Sequence, residues 1–191
     1  MSLNAQNGTM NSGKPVVVRT QRLFFALWPD DATRGQLAAH ANQWIWPPGC
    51  ARYDPADWHV TLHFLGDVAT EQVEAIAACV AVPLQTFDLV LDRPRVWPHG
   101  LAVLCGSKTP AALGDLHVRL GQALRGLGLA LDARPYAPHV TLARHAAAAI
   151  PPATCAPVRW QVRGFALVVS TGLKAPRYQV IRQYREVKHP V

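Results

Sequence analysis

The stretches Trp58–Val68 (WHVTLHFLGDV) and Pro138–Arg144 (PHVTLAR) share the tetrapeptide His-Val-Thr-Leu, at 59–62 in the first and at 139–142 in the second. In a β-strand, residues i and i+2 point to the same side, so each copy presents its imidazole and its hydroxyl together on one face. The His-x-Thr spacing alone is weak evidence, but chance repetition of all four letters is of the order of one in ten thousand or rarer. The repeat therefore predicts two equivalent strands, each with a chemically active face.

The two motif histidines are 80 residues apart, and each motif follows a predicted helix in its own half of the chain. Strands and helices alternate, which predicts a duplicated α+β domain with two lobes related by a pseudo-twofold axis. In that arrangement the two motif strands line one cleft. The cleft then brings together four side chains, namely His59, Thr61, His139 and Thr141.

Hydrophobic periodicity and the positions of Pro and Gly predict the other elements. The predicted strands are 22–28, 58–65, 87–91, 101–105, 139–143, 162–170 and 178–184. The predicted helices are 31–46, 70–80 and 110–127, the last with apolar residues at 113, 116, 120, 124 and 127. Residues 93–100 and 146–157, which are rich in Pro, are predicted loops.

The 191 residues are 50% hydrophobic and 16% charged, which predicts one compact domain over residues 21–187 after a polar, disordered tail at 1–20. The net charge of +7 favours polyanions such as nucleic acid or anionic lipid, although no run of Lys and Arg is present. No apolar run reaches 18 residues and the start lacks a hydrophobic segment, so neither a membrane span nor a secretory signal is predicted.

Four cysteines, at positions 50, 79, 105 and 155, form no Cys-x-x-Cys pair. This spacing predicts free thiols in a reducing cytoplasm and argues against a zinc site. A metal site built from His59, His63 and His139 is disfavoured because neither motif contains an acidic or Cys ligand. We therefore predict no metal and no cofactor.

Cleavage of a phosphodiester without a metal needs a base for the attacking oxygen, an acid for the leaving oxygen, and donors for the nonbridging oxygens. Histidine serves both proton roles because its pKa lies near neutrality. Threonine hydroxyls can donate to the nonbridging oxygens, where charge develops. The four motif side chains are therefore a sufficient set for acid–base chemistry on a phosphate.

Four segments in order, RLFFAL (22–27), WHVTLHFLGDV (58–68), PHVTLAR (138–144) and FALVVSTGLKAPRYQVI (165–181), resemble the two-histidine (2H) phosphoesterases. Within that superfamily the chain is most similar to bacterial RNA 2′,3′-cyclic phosphodiesterases, also described as 2′-5′ RNA ligase-like proteins. The resemblance extends from about Arg22 to Tyr184. It implies a duplicated, two-lobed α+β fold in which two antiparallel sheets line a central cleft and helices lie outside.

The resemblance also implies hydrolysis of an RNA 2′,3′-cyclic phosphate end to a 2′-phosphomonoester. In such proteins the first motif histidine is the proton donor and the second the acceptor, which corresponds here to His59 and His139. Thr61 and Thr141 would bind the phosphate, and Arg144 would be a further phosphate contact.

Other candidate substrate contacts are less specific. His63 is predicted to share the face of His59 and Thr61, where it either touches the substrate or lines the wall of the cleft. Phe24 and Phe25 alternate across the first strand, so one of them faces the cleft and could stack on a base, although core packing is the more common role. Tyr136 is an aromatic candidate in a loop.

Three alternatives remain open at this point: the same site could act on another cyclic nucleotide, could join 2′-5′ RNA ends weakly, or could bind RNA without turnover. The expected partners are RNA with a cyclic phosphate end or a small cyclic nucleotide. We expect no membrane and no obligate protein partner, and a monomer.

Overall fold

The computed structural model describes residues 19–80 and 82–186 and contains ten β-strands and three α-helices within them. The strands are β1 (Thr20–Leu27), β2 (Ala51–Arg52), β3 (Val60–Ala69), β4 (Phe87–Leu91), β5 (Arg93–Trp97), β6 (Leu101–Cys105), β7 (His139–Arg144), β8 (Val158–Val162), β9 (Gly164–Ser170) and β10 (Tyr178–Arg185). The helices are α1 (Asp31–Ala41), α2 (Val73–Cys79) and α3 (Ala111–Gly126). The predicted tail lies outside the described residues up to position 18, as does residue 187 at the end of the predicted domain.

The large sheet has the strand order β10-β9-β1-β3-β7-β6-β5, with β2 paired to β7, and β4 and β8 form a separate pair. All pairs in both sheets are antiparallel. The large sheet narrows to a single registered pair, Val60 opposite Val140, where β3 meets β7. The two lobes therefore join at the repeated motif and diverge on either side of it. The mixture of antiparallel sheets and helices confirms the predicted α+β class.

The same unit, strand–helix–strand with the two strands paired, occurs in each lobe. It is β1–α1–β3 in the first lobe, with the two-residue strand β2 inserted before β3, and β6–α3–β7 in the second. The helices α1 and α3 begin 80 residues apart, as do the two motif histidines. This regular offset agrees with the duplication that the repeat indicates.

Successive side chains of β1 point alternately to the main core and to the cleft side of the sheet. Leu23, Phe25 and Leu27 belong to the main core, whereas Phe24 and Ala26 pack in a smaller cluster on the other face. The core face is covered by helices, among them α3, which contributes four fully buried leucines at positions 113, 116, 120 and 124. Each such leucine stabilises the fold by roughly 1.5–3 kcal/mol, and their spacing is the one that the sequence predicts.

The first helix is shorter than predicted, because it ends at Ala41 rather than near Trp46. At its start the Asp30 side chain accepts a hydrogen bond from the Thr33 N–H at 2.8 Å. At its end the Trp46 indole N–H donates to the Ala41 carbonyl at 3.1 Å, and Trp46 stacks on Trp44 with ring centroids 5.0 Å apart. The chain therefore folds back over the last turn, which periodicity alone does not indicate.

The prediction of a loop over 93–100 is wrong for its first part, because Arg93–Trp97 forms strand β5. This strand lies at the edge of the large sheet and pairs with β6 alone, so Pro94, which has no N–H, is tolerated there. The prediction also missed β8, which ends at Val162 and is followed, after Arg163, by β9.

No helix in the two described ranges is both long enough and apolar enough to cross a bilayer.

Candidate active site

The four motif side chains line one cavity of about 440 Å³. Because β3 and β7 are antiparallel around the pair Val60 and Val140, a local twofold axis between them relates one His-Val-Thr-Leu to the other. The two histidines are then diagonal across the strand pair, on the face that lines the cavity. A cavity of this volume has room for one phosphate group hydrogen-bonded to both rings.

Each motif histidine is held by the same backbone contact. Nδ1 of His59 lies 2.7 Å from the carbonyl oxygen of Asp57, and Nδ1 of His139 lies 2.7 Å from that of Ala137. A carbonyl can only accept, so Nδ1 carries the proton in both rings. In the neutral ring Nε2 is therefore the free acceptor, and it is directed away from the backbone in both halves of the site.

Burial lowers the pKa of His59 to about 4, an effect to which the nearby His139 adds and which the Asp57 carbonyl partly opposes. Burial also lowers the pKa of His139, and the Ala137 carbonyl partly opposes this shift. Aromatic side chains around His59 shield its ring from water and so produce its burial. Its ring stacks on Trp28 with centroids 5.6 Å apart and meets the edge of Tyr178 at 5.1 Å. Both histidines are therefore neutral at neutral pH in the free site.

Three guanidinium groups line the same cavity, and one of them, Arg144, is a phosphate contact predicted from the sequence. Arg22 lies over the Phe64 ring at 5.1 Å and Arg177 over the Tyr53 ring at 5.0 Å. Asp57 is the one acidic residue in the described lining. The cavity is therefore electropositive and suited to an anion.

Asp57 has two contacts that order the site, and sequence reasoning missed it. Its carbonyl orients His59, and its side chain, 5% exposed, lies with Oδ2 3.6 Å from Nε of Arg177. Burial raises the pKa of this carboxyl and Arg177 opposes the rise. Asp57 thus links the first motif histidine to an arginine from the closing segment.

Tyr178 also belongs to the cavity and was not predicted. Burial raises its pKa to about 12, and the charge and the hydrogen bond of neighbouring Tyr53 act in the same direction. The phenol therefore stays protonated and can donate a hydrogen bond. Arg177 and Tyr178 both lie in the closing segment that carries the family resemblance, where a basic and an aromatic residue in succession were the available signal.

The expectation that His63 shares the face of His59 and Thr61 is wrong. In the pairing of β1 with β3, Ala26 lies opposite Thr61 but Phe25 lies opposite His63, so Leu62 is an extra residue. This β-bulge reverses the alternation of side chains beyond it. His63 consequently turns toward the core and Phe64 turns toward the cleft.

The His63 ring is fixed in its new position by α3. It is 6% exposed, and its Nε2–H donates to the His117 carbonyl at 2.8 Å. A Cβ at Gly121 would lie 3.1 Å from the ring, so glycine permits the close approach. Phe64, 45% exposed, lines the cavity instead.

The remaining aromatic candidates divide between the cleft and other places. Phe24 lines the cavity, with its ring centroid 4.9 Å from that of His59. Phe25 is fully buried in the main core, so its prediction as a substrate contact is wrong. Tyr136 stacks on His117 in a neighbouring cavity of about 330 Å³, which it shares with His63 and which also reaches Thr61 and His139.

Within residues 19–80 and 82–186, no group of three or more His, Cys, Asp or Glu side chains is arranged to hold a metal ion.

A family model described as the 2′-5′ RNA ligase superfamily matches residues 34–173. The chain is 35% identical over 134 residues to the RNA 2′,3′-cyclic phosphodiesterase of Escherichia coli (strain K12), covering 68% of this chain and 75% of that protein. It is 39% identical over 101 residues to the protein of the same name from Geobacillus stearothermophilus, covering 46% of this chain but 30% of that protein. The crystal structure of E. coli LigT in apo form superposes with a TM-score of 0.73 at 28% identity, covering 88% of this chain and 99% of that one.

Proposed function

The chain belongs to the 2′-5′ RNA ligase superfamily, and from this premise we propose that it hydrolyses the 2′,3′-cyclic phosphate at RNA ends to a 2′-phosphomonoester without a metal. The observation that carries the proposal is the pair of identically anchored histidines in one electropositive cavity. Both E. coli and Geobacillus relatives carry the name RNA 2′,3′-cyclic phosphodiesterase.

In the proposed reaction, water attacks phosphorus on the side opposite the 3′ oxygen. Nε2 of His139 takes a proton from the water as its oxygen bonds to phosphorus. Nε2 of His59 gives its proton to the 3′ oxygen as the bond from that oxygen to phosphorus breaks. The products are a 2′-phosphomonoester and a free 3′ hydroxyl, and general acid and base help are typically worth ~10²–10⁴ each.

The donor role requires that His59 gain a proton in the complex, although it is neutral in the free site at neutral pH. A bound anionic phosphate raises the pKa of a neighbouring imidazole and so favours the imidazolium. Asp57, the acidic residue of the cavity, precedes His59, whereas the corresponding position before His139 is Ala137.

The nonbridging oxygens become more negative as the reaction proceeds, and the other polar groups of the cavity would contact them. Thr61 and Thr141 supply hydroxyl donors, and Arg144 supplies a guanidinium. Loss of one such donor typically costs ~10²–10³ in rate. Arg177, held by Asp57, is a further candidate for the same role.

The test is turnover of a 2′,3′-cyclic-phosphate oligonucleotide and of nucleoside 2′,3′-cyclic monophosphates, with and without EDTA, with the product end identified by ³¹P NMR. We expect a 2′-phosphate and turnover that survives EDTA. Loss of turnover on chelation would contradict the metal-free mechanism. RNA binding with no turnover would instead support the non-catalytic alternative.

The pH dependence of kcat/KM should be a bell with its maximum below pH 6.5. One histidine must be neutral and the other protonated, so the active form is most abundant between the two free-enzyme pKa values. Burial places the pKa of His59 at about 4 and lowers that of His139 below 6.5. The kcat profile should lie at higher pH, because the bound phosphate raises both values.

Steady-state rates from pH 4 to pH 9 with a nucleoside 2′,3′-cyclic monophosphate test this prediction. A kcat/KM maximum at or above pH 6.5 would contradict the assigned groups.

A further inference from the structure

A second cavity, of about 550 Å³, lies where the start of α1 meets the ends of β8, β9 and β10. Its volume is that of a typical small-ligand pocket. The proposed reaction uses none of its lining residues directly.

Trp28 connects this cavity to the candidate active site. One side of the residue lines the second cavity, while its indole stacks on the His59 ring with centroids 5.6 Å apart and planes 8° from parallel. Trp28 therefore borders the second cavity and contacts a motif histidine of the first.

The second cavity carries an excess of positive charge. Arg163 donates to the neutral Gln161 amide oxygen, with Nε at 2.9 Å, and Arg185 donates to that of Gln183 at 3.1 Å. Nη1 of Arg34 contacts Asp31 at 3.3 Å, but its Nε is buried and has no hydrogen-bond partner among the described residues.

Asp30 is the one acidic residue in the described lining, and one of its oxygens is already bonded to the Thr33 N–H that begins α1. The lining therefore contains three guanidinium groups and one carboxylate. Two of the three, those of Arg163 and Arg185, are hydrogen-bonded to neutral glutamine side chains. This balance fits a ligand that carries more than one negative charge along its length.

We propose that this cavity binds the RNA strand on the 5′ side of the cyclic phosphate, and thereby makes an oligonucleotide a better substrate than a mononucleotide. Arg34, Arg163 and Arg185 contact the phosphodiester groups, and Trp28 supplies apolar surface for a base. The inference rests on the proposed function, because the cyclic phosphate must occupy the first cavity.

The experiment compares Arg163→Gln/Arg185→Gln with wild type on two substrates, adenosine 2′,3′-cyclic monophosphate and a four-nucleotide RNA with the same cyclic end. We expect kcat/KM for the oligonucleotide to fall about tenfold or more and that for the mononucleotide to change less than twofold. The salt dependence of oligonucleotide KM should weaken, by a log–log slope of about 0.7 per lost phosphate contact. Lys108→Gln/Arg119→Gln, which removes two positive charges at exposed positions outside both cavities, is the charge-matched control and should leave both substrates unaffected.

The outcomes separate the two proposals. No turnover of either substrate by the wild type would refute the proposed function. Turnover of both with equal losses in the double variant, or with no loss for the oligonucleotide, would overturn the second-cavity proposal alone.

Discussion

His59→Ala and His139→Ala are each expected to lower kcat by about 10²–10⁴-fold, because each removes one of the two proton-transfer groups. Both rings line one cavity, and both are anchored through Nδ1 so that Nε2 is free. The double variant should lose less than the product of the two single losses, because groups that act as a unit are not additive. Single-turnover kinetics with a nucleoside 2′,3′-cyclic monophosphate measure the effect on the chemical step.

Asparagine in place of either histidine tests the loss of proton transfer while the backbone hydrogen bond of the side chain is kept. Its amide nitrogen occupies nearly the place of Nδ1 and can still donate to the Asp57 or Ala137 carbonyl, but it has no counterpart of Nε2. His59→Asn and His139→Asn should therefore be nearly as inactive as the alanine variants while folding normally. Activity within tenfold of wild type in either would contradict the mechanism.

His99→Asn is the matched control for these variants. His99 is exposed and has a φ of 62°, a conformation that asparagine adopts readily. We expect wild-type kcat from it.

Phe25→Ala is expected to lower the free energy of unfolding by about 3–5 kcal/mol, because it empties a fully buried site in the main core. The ring packs against Phe165 and Tyr184, with centroids 6.2 and 6.0 Å away. Below the unfolding transition, KM should stay at the wild-type value, since Phe25 faces away from the cleft. Urea unfolding followed by tryptophan fluorescence measures the loss.

Phe24→Leu is the matched comparison on the opposite face of the same strand. Phe24 is 3% exposed, and its ring contacts His59 and Tyr178 at 4.9 and 5.1 Å. Leucine keeps most of the apolar volume but removes the aromatic contact, so this variant should alter kcat or KM at little cost in stability. A kinetic defect in Phe25→Ala with none in Phe24→Leu would mean that the faces of β1 are assigned the wrong way round.

Much of the candidate site could be read from local sequence. A strand places residues i and i+2 on one side, so each motif had to present its histidine and threonine together. The leucines of α3 recur at helical spacing, and the structure buries them as predicted. In both cases the pattern lies within one element and needs no knowledge of its neighbours.

The rule that residues i and i+2 share a face fails at His63. Its distance of two residues from Thr61 predicts the same face, but the extra residue Leu62 in the pairing with β1 turns it toward α3. A bulge depends on the hydrogen-bond register between two strands, and the sequence of one strand does not encode that register. Strand β5 was missed for a related reason, because an edge position tolerates a proline that a central strand would not.

The sequence by itself determined the family, the two equivalent motifs and the faces of strands and helices that have regular spacing. Only the tertiary structure decided which distant residues join the motif side chains in the first cavity, namely Arg22 and Tyr53 from the first half of the chain and Arg177 and Tyr178 from its end. It also decided which arginines meet in the second cavity. Periodicity describes how side chains are placed along one element. The composition of a cavity depends on which elements pack side by side, and hydrogen bonds and burial across the whole chain fix that packing.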